Sequence, residues 1–187
     1  FDKGIKEMTA VMNSRPNLIQ ALEARGLAQW ALSTALAKQG KAEAASKALD
    51  DALTDLDQLF SKAPTMRVGE ILVDAWIAQG EANMKADISP RGPFDNASRH
   101  IETLLKMSPG NTALQMRRGK ALVRSADFSV KKKEDPSTQL ATAVGDFNAV
   151  LAAQPENLDA LYERGRAQFL LAKTEQNKGG DSRVNLN

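Results

Sequence analysis

Large and small apolar residues fall along this chain at spacings of four and then three, and a proline closes each run. Gly4, Met8, Val11 and Pro16 make the first phrase, Ala52, Leu56, Leu59 and Pro64 the second, Ala97, Ile101, Leu104 and Pro109 the third, and Ala143, Phe147, Val150 and Pro155 the fourth. Residues three and four apart share one face of an α-helix, and a proline holds the residue before it out of helical conformation. Each phrase therefore predicts one amphipathic helix with a hard stop. A second phrase lies between the copies of the first, centred on Gly26, Gly80, Gly119 and Gly165. Leu22, Trp76 and Leu161 stand four residues before three of these glycines, Gln115 before the fourth, and Arg25, Arg118 and Arg164 directly precede three of them. Glycine inside a helix costs about 1 kcal/mol relative to alanine, so its repeated use predicts a helix-to-helix approach that a side chain would block.

The phrases alternate, so the repeating unit is a pair of helices: the glycine-centred one first, the proline-closed one second. Prolines 16, 64, 109 and 155 set steps of 48, 45 and 46 residues. The predicted division is one repeat domain, with a second helix of a preceding unit over 1–15, helix-pair units over 16–63, 64–108 and 109–154, and a further first helix or cap plus tail over 155–187. Gly40 predicts the break between helices in the first full unit, from Lys38 to Lys41. In the second, a long helix from Met66 to about Lys85 is followed by Asp87 to Pro93, whose prolines and glycine predict a loop. In the third, extra length is expected between Arg124 and Thr138, and Gly179-Gly180 predicts a helix stop. Beginning on a second helix and ending after a first, the chain reads as an excerpt of a longer array, with a lone capping helix as the alternative.

A bulky residue, a glycine four later, an alanine opening the second helix, an aromatic or aliphatic residue four after it and a closing proline together resemble the tetratricopeptide repeat. Leu161, Gly165, Ala143, Phe147 and Pro155 carry the resemblance best, and it runs over essentially the whole chain. It implies an all-α fold, a right-handed superhelical solenoid of antiparallel helix pairs with about eight helices. The family unit is typically 34 residues, so each unit here is about a dozen longer. The resemblance also implies that first helices line a concave groove where extended peptides or partner helices dock. The lysine and asparagine clamp of chaperone-binding members is absent, the comparable places holding Glu23 and Leu27.

Composition narrows the chemistry. Among 187 residues, 25 lysines and arginines against 23 acids leave a formal charge of +2, which gives no global attraction to nucleic acid or acidic membrane. With no cysteine, thiolate metal sites and cysteine nucleophiles are excluded. No run approaches the roughly 18 apolar residues of a membrane span, so a soluble chain is expected, with the compartment left open. The single histidine, His100, has no partners at metal or triad spacing, and no phosphate-binding or nucleophile-elbow motif occurs. Neither a catalytic residue, a metal nor a cofactor is expected. Asp50, Asp51, Asp55 and Asp57 read as a solvated acidic helix face, with Asp51 and Asp55 on the side away from the apolar stripe.

Candidate function then rests on positions that differ from copy to copy. Arg117, Lys120 and Arg124 lie three and four apart on one predicted first helix, and Tyr162, Arg166 and Phe169 on the next, a basic and aromatic set suited to a carboxylate or an acidic peptide segment. Glu23, Trp30 and Glu81 give the earlier units an acidic character. The leading expectation is a non-enzymatic module that docks a peptide or protein partner. A self-associating homo-oligomer, or a structural or regulatory spacer arm of a larger protein, is the alternative. Nucleic-acid binding by Arg117, Arg118, Lys120, Arg124 and Lys131 to Lys133 is disfavoured, because these charges lack a regular aromatic stacking platform.

Overall fold

The structure is a computed structural model that describes residues 1–15 and 18–184, the last six by their backbone alone. Among the described residues there are eight helices and no strand: α1 (Asp2–Ser14), α2 (Ile19–Lys38), α3 (Ala42–Lys62), α4 (Met66–Lys85), α5 (Arg91–Met107), α6 (Thr112–Lys131), α7 (Ser137–Ala153) and α8 (Leu158–Val184). The chain comprises two compact units, Phe1–Ala82 and Asn83–Asn187.

In the first unit α2 packs on α1 and, more extensively, on α3. The α2–α3 pair is antiparallel: Ser33 Oγ donates to the Ala45 carbonyl at 2.9 Å, while Gly26 lies against Asp55 and Leu56 further along α3. A Cβ at Gly26 would stand 3.1 Å from the Asp55 Cβ and 3.3 Å from two Leu56 carbons. The core here includes Ala52, Leu56 and Leu59, the face that the four-three spacing marked, together with Leu49 and, from α2, Leu22. In the second unit α6 packs on α5, α7 and α8, and α7 on α8. Gly119 is covered by Phe147, and Gln139 on α7 reaches Ser125 on α6 at 3.4 Å, so this pair is antiparallel as well. Phe147 is fully buried in a cluster with Leu122, Val123, Ala126, Leu140, Ala143, Ala167 and Leu170. The helix pairs that the tetratricopeptide-like pattern predicts are thus formed by α2 with α3 and by α6 with α7.

The repeat extends to the backbone. The residues closing α1, α3, α5 and α7 (Arg15, Ala63, Ser108 and Gln154) have φ between −144° and −137° and ψ of 75° to 78°. Each of the last three precedes a proline whose ring forbids the helical region to its neighbour. The expected stop at Pro16 itself lies outside the described residues. First helices end differently. Lys41, Ile88 and Glu134 donate their backbone N–H to the carbonyls five residues back, of Leu36, Asn83 and Ser129, at 2.8 to 3.0 Å, which wraps the orphan carbonyls of α2, α4 and α6 in one turn type. The turn needs a left-handed residue, supplied by Gly40 at φ 75°, but by Asp87 at 55° and Lys133 at 59° in the other two.

Two expectations about helix ends are corrected. Arg91, Gly92 and Pro93 open α5 instead of lying in a loop: first-turn N–H groups have no intrahelical acceptor, so Pro93 sacrifices nothing there, and Phe94 donates to the Pro90 carbonyl at 3.1 Å. The extra length between Arg124 and Thr138 is divided between the end of α6, which runs to Lys131, and the connection from Lys132 to Pro136. Gly179-Gly180 does not stop α8, which continues to Val184. Glycine lowers helix stability without forbidding the conformation, whereas proline in a helix interior removes a hydrogen bond and clashes with the preceding turn.

Candidate interaction surface

The arginines that precede the glycines build the most regular feature of the molecule. Arg25 on α2 donates through Nε and Nη2 to the two carboxylate oxygens of Asp55 on α3, both at 2.7 Å. Arg118 on α6 does the same to Asp146 on α7 at 2.8 and 2.6 Å. In each case the third nitrogen, Nη1, turns back to the helix before: Arg25 to Thr9 Oγ on α1 and Arg118 to Glu102 on α5, both at 3.4 Å. One guanidinium therefore ties three helices. Asp55 and Asp146 stand three residues after Ala52 and Ala143, the small residues that open their phrases, and immediately before the Leu56 and Phe147 that cover the glycines. With its amide turned so that nitrogen faces the acid, Gln29 adds a donor to Asp55 at 2.8 Å.

The expectation for Asp55 is thereby overturned: it is 2% exposed, and not part of a solvated face. Arg25 and Gln29 supply the donors that make its burial tolerable. Asp51 and Asp50 remain exposed, as expected of an outer face. Burial pushes the Asp146 carboxyl up while the Arg118 fork draws it back, and the hydrogen bond to Asp146 in turn raises Arg118 above its ordinary value. The signal for the pairing was in the sequence, as an aspartate at one place after Ala52 and Ala143 and an arginine at one place before Gly26 and Gly119, with Gln79 and His100 at the corresponding places of the unit between them.

The candidate binding residues divide between the units. In the first, Glu23 and Trp30 stand seven residues apart on α2, Glu23 reaching Arg67 at 3.7 Å and Trp30 half-buried, with Glu81 half-buried on α4. In the second, α6 carries half-buried Arg117 and Lys120 and exposed Arg124, and the adjoining α8 carries Tyr162, Arg166 and Phe169. Lys120 meets Asp159 of α8 at 2.6 Å, and Arg166 meets Glu163 at 2.9 Å, so both cations already have local carboxylates. Tyr162 and Phe169 are each 66% exposed. Two surface hollows, one of about 480 Å³ lined by residues including Lys133, Asp135 and Lys178, the other of about 350 Å³ against α1, α2 and α3, contain none of the nine residues. His100 is half-buried on α5, and among the described residues no cluster of histidine and acidic side chains could hold a metal ion. Among them, too, no helix is long and apolar enough to cross a membrane.

No protein-family model matches the chain, and no curated protein matches it. Among solved structures, MamA MSR-1 C2 is similar to it at 19% sequence identity and a TM-score of 0.45, over 98% of this chain and 95% of that one.

Proposed function

We propose that the chain is a non-enzymatic protein-interaction module whose first helices dock a peptide or protein partner, with the α6 and α8 surface as the site for an acidic segment. The supporting observation is the exposure of Tyr162 on a helix that adjoins the row Arg117, Lys120, Arg124. A large aromatic on the outside of a packed helix, beside cations at helical spacing, is the composition that binding surfaces favour over plain solvated faces. The Lys120–Asp159 pair does not close this surface. The half-exposed Lys120–Asp159 pair is worth about 0–1 kcal/mol, so an incoming carboxylate exchanges with Asp159 at little cost, whereas Glu163 is buried and holds Arg166 in place. The residues shared by the two formed pairs, by contrast, are accounted for by packing: Gly26 and Gly119 by the helix that covers each, Arg25 and Arg118 by Asp55 and Asp146.

Fluorescence anisotropy with labelled acidic and basic peptides of equal length, each carrying one aromatic residue, tests the proposal. The acidic peptide is expected to bind, and Lys120→Glu with Arg124→Glu to weaken it at least tenfold while the circular dichroism stays helical. Equal binding by the folded double variant, or no preference for the acidic peptide, refutes the site.

A further inference from the structure

The hollow of about 350 Å³ against α1, α2 and α3 has a counterpart place in the second unit, and the two are built differently. In the second unit Gln139 on α7 occupies it, donating to Asp95 on α5 at 2.9 Å and reaching Ser125 on α6 at 3.4 Å, so that one amide ties three helices. Counting α1 from Gly4 as α5 from Ala97, α2 from Gly26 as α6 from Gly119, and α3 from Ala52 as α7 from Ala143, the same three places hold Asp2, Leu32 and Ala48. The acid is kept, but the amide is cut back to a methyl group and the hydroxyl is replaced by an isobutyl. All three residues line the hollow. Space and apolar surface thus stand where the second unit has a polar bridge.

The space does not depend on what lies against the Gly4, Met8 and Val11 face of α1. Asp2 and Lys6 each stand two residues from Gly4, about 200° round a helix that turns about 100° per residue, so the hollow is bounded by the opposite side. Half-buried Ile5, Leu32 and Leu36 and the buried Ala48 form the apolar wall. Exposed Lys6 on α1 and Lys47 on α3 stand at the rim, with Asp2 and Asp51. Asp2 and Lys6 are four apart on one helix and Lys47 and Asp51 four apart on another, a spacing at which opposite charges can meet. Among the described residues neither pair closes, whereas Lys3 and Glu7, one place along α1, approach to 3.9 Å. Asp51 is in addition drawn to Arg25, which leaves two lysines against one acid unanswered at the rim. Ala44 in the first turn of α3 also lines the hollow, and α3 opens without a side-chain cap, so its first-turn N–H groups favour an anion there as well.

We propose that this hollow binds a small amphipathic carboxylate, its apolar body against Ile5, Leu32, Leu36 and Ala48 and its head between Lys6 and Lys47. Pockets for small ligands run from about 300 Å³ upward, so the volume suits a body no larger than a short acyl chain or one aromatic ring. The cations at the rim and the uncapped start of α3 select an acid over an amine or a neutral molecule of the same shape. The site lies within the first unit and shares no residue with the acidic-peptide surface on α6 and α8.

NMR of the isoleucine and leucine methyls tests it, with octanoate as the probe and octylamine as its cationic counterpart. Octanoate should shift the Ile5, Leu32 and Leu36 methyls saturably, with an affinity on the order of a millimolar, the strength within reach of so few heavy atoms. Octylamine should bind at least about fivefold more weakly. Lys6→Glu with Lys47→Glu should reverse that preference while the circular dichroism stays helical. Ala48→Gln with Leu32→Ser, which writes the arrangement of Gln139 and Ser125 opposite Asp2, should abolish the saturable shifts at Ile5 and Leu36. The absence of saturable shifts overturns the proposal, as do shifts confined to other methyls, equal binding of amine and acid, or octanoate binding unchanged in either folded double variant. Acidic-peptide anisotropy is expected to be unaltered in both variants, so failure of this site and failure of the α6 surface are read separately.

Discussion

Three glycines at one place in the repeat offer a graded test of the packing. An alanine at Gly119 would put its Cβ 2.6 Å from two ring carbons of Phe147 and 3.2 Å from a third. The ring is fully buried among Leu122, Val123, Ala126 and Leu140, so it has no empty space to swing into. Overpacking of this kind costs about 1–3 kcal/mol, against a gain of about 1 kcal/mol from replacing glycine within a helix. The net expectation is a loss of about 0–2 kcal/mol. At Gly165 the same substitution meets nothing and should keep the whole gain of about 1 kcal/mol. Gly26, where the nearest atoms stand at 3.1 and 3.3 Å, should fall between. The three variants are compared by urea unfolding followed by circular dichroism, the order of midpoints being Gly165→Ala above Gly26→Ala above Gly119→Ala. Shortening the ring in the Gly119→Ala background by Phe147→Leu should recover part of the loss, since contacting residues couple. Gly119→Ala as stabilising as Gly165→Ala would refute the close approach of α6 and α7.

The ion pairs and one turn supply the remaining tests. Arg118→Ala leaves Asp146 buried beneath α6 and should cost about 3–5 kcal/mol in urea unfolding, whereas Arg118→Met combined with Asp146→Leu should lie within about 1–2 kcal/mol of the parent, because an apolar pair needs no compensation. Asp135 accepts from the Ser137 hydroxyl and backbone N–H and faces Lys178 at 3.2 Å, which together hold its carboxyl down to about 2 from 3.8. A folded value below the unfolded one means that this contribution is complete above the ordinary carboxylate range and is lost as pH falls toward about 2. Carboxyl NMR should therefore show Asp135 titrating near the bottom of the acid range, and a midpoint at the ordinary value would contradict the turn geometry.

Much of this architecture was legible in the spacing of apolar residues and prolines. Met66 to about Lys85 was readable as a helix, and the stops before Pro64, Pro109 and Pro155 follow from sterics that act locally. The misplaced boundaries share a cause. Pro93, Gly92 and Gly179 were weighed by residue type, whereas their effect depends on how far they sit from a helix end and on whether an N–H there had a partner to lose. Asp55 was misread because its neighbours Asp51 and Asp57 look alike in sequence, and burial of one acid among four depends on an arginine thirty residues away. The recurrence of Arg before Gly was visible, but its role needed the facing helix. For Lys120 and Arg166, spacing alone pointed to a shared cationic face, and the acids that meet them, Asp159 and Glu163, show how far such a face is already neutralised from within.

The arginine forks also bear on how such a chain avoids folding out of step. Successive pairs carry nearly the same apolar phrase, so a second helix that slid by one turn, about 5.4 Å, would still place small and large residues against its neighbour. The fork would not follow: a carboxylate displaced by that distance loses both short bonds and is left buried without donors. Apolar packing alone tolerates the slip, and the planar two-toothed contact does not. Each arginine is thus a detent on a sliding scale, letting the pair close at one setting and holding the helix behind it at the same notch.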